Sequence, residues 1–225
     1  CAVACGPAAV YRNYFAEVEG SVGQRRQLQL NVLSQVSTKL GNEPEGRFFR
    51  VSSGYTLATD TGLRALASKM ERLDAEAYDA LRQELRVGVH EDVQVTSMNF
   101  GACPVFDDEQ TVTQVLVSAC SVSYSGNARE LWEPLACLVL SAAYEATLWV
   151  ALLSAVRHGG QDGSRRVFLT CVGGGAFGNS LSWITDAMHV ALSKFKNCAL
   201  EVQVVTYEGP VDQQLLLLER EFSGR

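Results

Sequence analysis

The stretch VFLTCVGGGAFGNSLSWITDAMHVALSKF, from Val167 to Phe195, carries the residues whose types and spacing point most directly to chemistry. Gly173, Gly174, Gly175 and, three residues on, Gly178 separate an apolar β-type run from an amphipathic one. Glycine loses more backbone entropy on folding than any other residue, so such a turn needs a cause. Either the backbone adopts a geometry only glycine allows, or a ligand lies against bare backbone. Successive N–H groups of such a loop can converge on phosphate oxygens, and the helix starting near Ser180 adds the positive end of its dipole. Asn179 or Ser180 can cap that helix. The chemistry on offer is anion binding.

Other motifs compete for the same residues. Gly173-x-Gly175-x-x-Gly178 matches the dinucleotide fingerprint literally. That fingerprint opens a Rossmann half and needs further β-α-β units downstream, whereas only one clear strand follows here. No Lys-Ser/Thr follows the last glycine, which excludes a P-loop, and no G-x-S-x-G nucleophile elbow is present. A glycine turn that merely lets strand and helix pack closely remains an alternative.

Elsewhere the chemistry is thin. His189 falls inside a helical stretch and His158 at a helix end, where a cation suits the dipole. His90-Glu91-Asp92 are adjacent on a strand and do not share one face, so they make a poor metal site. Asp107-Asp108-Glu109 reads as a solvated loop, Glu145 as a surface or interhelix residue, and Trp132 and Trp183 as packing beside the loop. No metal is expected. The cysteines at 1, 5, 103, 120, 137, 171 and 198 are odd in number and lack the C-x-x-C spacing of a zinc or redox site. They read as free, buried thiols of a cytoplasmic or other reducing compartment.

The elements that must position the loop follow from composition and periodicity. The 225 residues, 47% hydrophobic and 20% charged, suit one large globular domain. A net charge of −6 argues against nucleic acid as a partner but leaves a small anion open. No apolar run reaches the ~18 residues of a membrane span, so no membrane partner is expected. The start, CAVACGPAAV, has neither a basic region nor an initiating Met and reads as the cut edge of a longer chain. Along the chain we expect a strand at residues 2–5, a helix over 24–40, a strand over 48–52, and a loop over 53–62. Two helices follow within 63–86, the second capped by Asp74. A strand is expected over 92–97, a loop over 101–110 and a buried strand over 113–122. A long helix over 133–157 would bury Leu135, Leu138, Val139, Ala142, Ala146, Trp149, Val150 and Leu153. A strand over 167–172, a helix over 181–195, a strand over 201–207 and a short helix over 215–221 complete the chain. Strands alternating with helices imply an α/β sandwich with a largely parallel sheet. Ligands bind beyond the carboxyl ends of strands in such sheets, which is where the glycine loop falls.

The succession SACSVSYS, LVLSAAYEATLWVAL, TCVGGGAFGNS, WITDAMHVALSKF and VQVVTY resembles the C-terminal half of a macrodomain over residues 110–209. The resemblance implies a single domain with a divergent half before residue 111. It also implies a three-layer α/β/α sandwich with a mixed, largely parallel sheet, and ADP-ribose or an ADP-ribosylated protein as the ligand, without a cofactor. Gly173, Gly174, Gly175, Ala176, Phe177, Gly178 and Asn179 would wrap the diphosphate. Ser123 would lie against the ligand, and Tyr207, at the end of the last strand, would cover adenine. Phe177 is either core filler or packs near the distal ribose. The family's first loop, usually Asn- and Gly-rich, has two candidates, Gly6–Phe15 and Ser52–Asp60. Neither carries the usual Ala-Asn and glycine run, which marks a divergent member. Gly23-Gln24, downstream of the first, resembles the poly(ADP-ribose) glycohydrolase branch, although that branch's paired glutamates are not here. The function so implied is an ADP-ribosyl hydrolase, its linkage unresolved and arginine among the choices, with Asn13 orienting water and Asp60 as base. A non-catalytic ADP-ribose reader and a different nucleotide enzyme are the alternatives.

Overall fold

The computed structural model describes residues 2–42, 46–98, 101–207 and 209–223, and the expected thiols of Cys1 and Cys5 fall outside what it describes. In chain order the elements are α1 (Ala2–Tyr14), β1 (Glu17–Val18), β2 (Ser21–Val22), α2 (Ser34–Lys39), β3 (Arg50–Ser52), β4 (Tyr55–Leu57), α3 (Asp60–Met70), α4 (Ala75–Arg82) and β5 (Gly88–Gln94). They continue with β6 (Ser97–Met98), β7 (Cys103–Pro104), β8 (Thr111–Leu116), α5 (Glu133–Arg157), β9 (Arg166–Thr170), α6 (Leu181–Phe195), β10 (Glu201–Val205) and α7 (Gln213–Phe222). The protein is thus a mixture of helices and strands of the α/β kind. Its described strands pair in twos, and of the five pairs only β9–β10 is parallel.

The chain divides into two compact units, one of residues 1–28 and 87–116, the other of residues 29–86 and 117–225. The smaller unit opens with α1, where the sequence suggests a strand at residues 2–5. Alanines at 2, 4, 8 and 9 favour helix. Pro7 sits inside this helix. β5 and β8 pair antiparallel, with a bulge between His90 and Val93 in which Asp92 takes φ +52°. The strand expected from Asp92 therefore begins four residues earlier and ends at Gln94, beyond which β6 and β7 form a separate ribbon. His90 belongs to an aromatic contact, its ring 4.8 Å from that of Phe15.

The helix expected over 24–40 shrinks to α2, in the larger unit. Arg25 and Leu28, at the end of the smaller unit's first segment, close a tight turn, and in the larger unit the Asn31 side chain accepts from the Leu33 N–H at 3.0 Å, starting the helix late. Val36 and Leu40 are nevertheless buried. The strand expected from Phe48 begins at Arg50, because both phenylalanine N–H groups go to the buried Asn42 side chain instead. It turns back through Ser53 and Gly54, both at positive φ, into β4, so the segment read as loop holds a hairpin strand and the first turn of α3. Asp74 caps α4 as expected, accepting from the Ala77 N–H at 2.8 Å. The strand expected to run to Val122 stops at Leu116. The buried residues Ala119–Val122 lead into a short 3-10 turn.

The core is built on α5 and α6, which pack on each other. α5 buries nearly every residue from Leu135 to Tyr144, so periodicity cannot assign a face there. Its second half turns Leu148 and Ala155 inward, leaving Trp149 and Leu153 at 52% and 61% exposed, contrary to expectation. The Trp149 ring instead meets Phe195 edge-on at 4.9 Å. Residues 129–157 form one helical stretch long and apolar enough to cross a membrane, although more than half of its most apolar window is buried in the protein. Glu145 interrupts the run and joins Arg82, Asp79 and Lys194 in an interhelix charge network. β9 alternates, with Val167 and Leu169 inward, and pairs with β10 in register from Arg166↔Glu201 to Thr170↔Val205.

Candidate functional site: the glycine loop after β9

β9 ends at Thr170, and its end is pinned from α5. The buried Tyr144 hydroxyl donates to the Thr170 carbonyl at 2.7 Å and accepts from the Val172 N–H at 3.1 Å. Burial pushes that hydroxyl's pKa far up, so it stays a donor. The loop that follows is tied at its ends by Asn179. The Asn179 N–H donates to the Gly173 carbonyl at 3.0 Å, and its side-chain amide donates to Cys120 at 2.8 Å and to Gly173 at 3.1 Å. Two carbonyl acceptors fix the orientation of that amide. Its oxygen is left buried with no partner among the described residues. The Gly178 N–H donates to Gly175, and the Phe177 carbonyl accepts from the Ser123 N–H at 2.9 Å.

The four glycines are there for different reasons. Gly173 and Gly178 sit at φ +76° and +73°, where a side chain would also collide with Ala119 and Ser123 respectively. A Cβ on Gly174 would press within 3.1 Å of Ile184. Gly175 has neither positive φ nor any atom within 4 Å of a Cβ, so nothing in the chain demands glycine there. Gly174, Gly175 and Ala176 are exposed, and the N–H groups of Gly175, Ala176 and Phe177 have no acceptor among the described residues. α6 begins immediately after, its first turn free of acidic residues and Ser180 making no capping bond; the Ser180 hydroxyl bonds Ser182 instead. Free N–H groups, an uncapped helix start and an orphan acceptor lie together in this one segment.

Two further segments reach the loop. The Ser121 hydroxyl donates to the Thr56 carbonyl at 2.8 Å, joining β4 to the turn before Ser123. Tyr55, Tyr124 and Phe177 then meet, with ring centroids 5.3, 6.2 and 5.5 Å apart. Of the two candidate first loops, Ser52–Asp60 is therefore in contact with the glycine loop. Asp60 is exposed at the start of α3, and its carboxylate accepts from Asn127 at 2.6 Å. Thr59 caps that helix. Asn13 stands in the smaller unit at the end of α1. There its side-chain oxygen accepts from Gln24 at 3.1 Å, and Gly23, at φ +80°, lies flat on the Asn13 carbonyl. Those two features, paired on sequence grounds, are thus neighbours.

Tyr207 follows β10 at the same end of the parallel pair as the glycine loop, 88% exposed. The thiols near the loop are not activated. Burial raises Cys120 to about 12, and burial followed by the charge of Asp212 raises Cys171, so both stay protonated at neutral pH. Among the described residues no group of three or more His, Cys, Asp or Glu side chains is placed to hold a metal. His189 pairs with Glu221 at 2.8 Å, and Asp107 and Asp108 bond within their own loop and to Gln94. Nothing in the spacing of the sequence singles out Tyr55 or Tyr124. Their signal, an aromatic in each polar loop, acquires meaning only once the loops meet. No family model matches the chain, nor does any curated protein or solved structure.

Proposed function

We propose that the protein binds ADP-ribose through the loop Gly173–Asn179 and hydrolyses the bond between the distal ribose and a modified protein side chain. The observation that carries this reading is Gly175. It is a glycine with open space at its Cβ and no positive φ, flanked by N–H groups without acceptors. A ligand lying on bare backbone accounts for it, and a packing turn does not. The diphosphate would sit on the N–H groups of Gly175, Ala176 and Phe177 and on the start of α6. The distal ribose would lie against Phe177, and Ser123 and Tyr207 would complete the contacts. The reading carries with it a macrodomain-like three-layer sandwich, supported by the parallel β9–α6–β10 unit with the loop at its carboxyl end. Asp60, in the same unit as the loop, is the candidate for positioning or deprotonating the attacking water. One observation favours the non-catalytic reader as a second reading: Asp60 is already accounted for as the anion at the start of α3, held by Asn127.

Calorimetric titration with ADP-ribose and AMP tests the ligand class. ADP-ribose is expected to bind at least about tenfold more tightly, since the second phosphate and distal ribose add charge-assisted hydrogen bonds that AMP cannot make. Equal affinities would remove the diphosphate from the loop.

A further inference from the structure

We propose that Tyr55 and Tyr124, beside Phe177, receive the amino-acid side chain that carries the ADP-ribose, and that they select a cationic one, the guanidinium of arginine. This inference rests on the ADP-ribose reading of the glycine loop. The three rings come from three separate segments, with centroids no more than 6.2 Å apart. Tyr55 and Tyr124 are tilted 43° to each other while Phe177 meets Tyr124 edge-on, so the cation is assigned to the two tyrosine rings, within the roughly 6 Å over which a ring face attracts it. Tyr55 and Tyr124 are 41% and 54% exposed, and neither hydroxyl has a partner among the described residues, so neither tyrosine is spent on a buried hydrogen bond.

The charge pattern points the same way. The segments that carry the two tyrosines also carry Asp60 and Asn127, joined at 2.6 Å, whereas the glycine loop carries no charged side chain and offers N–H groups suited to an anion. A carboxylate and two exposed tyrosine rings beside the loop proposed to hold the diphosphate suit a ligand that is anionic at one end and cationic beyond its distal ribose. Arginine-linked ADP-ribose has that form. A serine, aspartate or glutamate linkage places no cation there. Guanidinium is also the cation that stacks on rings most readily, being planar and weakly hydrated.

The test is competition of three unlabelled ligands against a fluorescent ADP-ribose, read in the first seconds after mixing. The ligands are free ADP-ribose and two ADP-ribosyl peptides of otherwise matched sequence, one linked through arginine and one through serine. The wild type is expected to bind the arginine-linked peptide about 3- to 10-fold more tightly than the serine-linked one. Tyr55→Leu and Tyr124→Leu are each expected to reduce that ratio, and the double variant to bring it near one. Tyr55→Phe and Tyr124→Phe, which keep the rings and lose only the hydroxyls, are expected to preserve it. A wild type that binds ADP-ribose but both peptides equally overturns this inference alone. A wild type that binds no ADP-ribose overturns the underlying reading as well. A ratio unchanged in the double leucine variant removes the two rings from the role.

Discussion

Gly175 and Gly178 stand three residues apart and make opposite demands. At Gly178 a side chain would meet Ser123 in a left-handed backbone region, and L-residues are held there at a cost of about 1–2 kcal/mol even without a collision. At Gly175 a side chain would meet only solvent. Gly178→Val is therefore expected to lower stability by more than about 2 kcal/mol, while Gly175→Val stays within about 0.5 kcal/mol of the wild type, as for other exposed changes. Gly175→Val should nevertheless lose the thermal stabilisation that ADP-ribose confers, because its branched side chain stands where phosphate would approach the N–H groups. Melting curves of both variants with and without ADP-ribose make the comparison. A folded Gly175→Val protein that gains full stabilisation from the ligand would show that the phosphate lies elsewhere.

Helices α4, α5 and α6 are joined by a charge network whose titration can be read. Arg82 is 6% exposed between Asp79 and Glu145, and Lys194 reaches both carboxylates, at 3.5 and 2.9 Å. The hydrogen bond from Arg82 holds the Asp79 carboxyl below its ordinary range, with the charges of Arg82 and Lys194 adding to it. The folded pKa thus lies below the unfolded value of about 3.9. Asp79 contributes stability that is complete above that value and lost as pH falls through the folded pKa. Urea unfolding of wild type and Asp79→Asn between pH 2 and 7 is expected to show a constant gap above about pH 5 that closes progressively below about pH 4. A gap that widened toward acid would contradict this account of the network. The same helices position the loop, because α5 supplies Tyr144, which holds the end of β9.

Over the whole molecule the two candidate catalytic residues fall in different units, Asn13 in the one formed by residues 1–28 and 87–116, Asp60 in the other. Each has a local partner, Gln24 for Asn13 and Asn127 for Asp60, that holds its side chain in place. Replacing a group that positions or deprotonates the attacking water is expected to lower turnover of an ADP-ribosylated protein by about 10²–10⁴. Asn13→Ala and Asp60→Ala, assayed separately with ADP-ribose affinity measured alongside, would identify which acts. Retained affinity with lost turnover marks the catalytic group. Wild-type turnover in both variants would discard both assignments.

What the sequence determined by itself lies where local signals agree. Helix α6 was legible to its ends, because the glycine loop stops the strand before it and its apolar residues keep one face from Ile184 to Phe195. The Asp74 cap was legible from a short-range bond and β10 from alternation, although β10 ends at Val205 and not at residue 207; β9, read from an apolar run over 167–172, spans Arg166–Thr170. The glycine loop was visible as an anion-binding candidate, but not which glycine serves what. That depends on Ala119 and Ser123, more than fifty residues upstream. Tertiary structure alone decided the rest. The long helix α5 is apolar on nearly every side, so only its neighbours could choose the buried face and leave Trp149 outside. Phe48 and Phe49 read as strand, and the Asn42 side chain took their N–H groups. Tyr55, Tyr124 and Phe177 lie far apart in the chain, and no periodicity links residues that meet only when three loops close on one another.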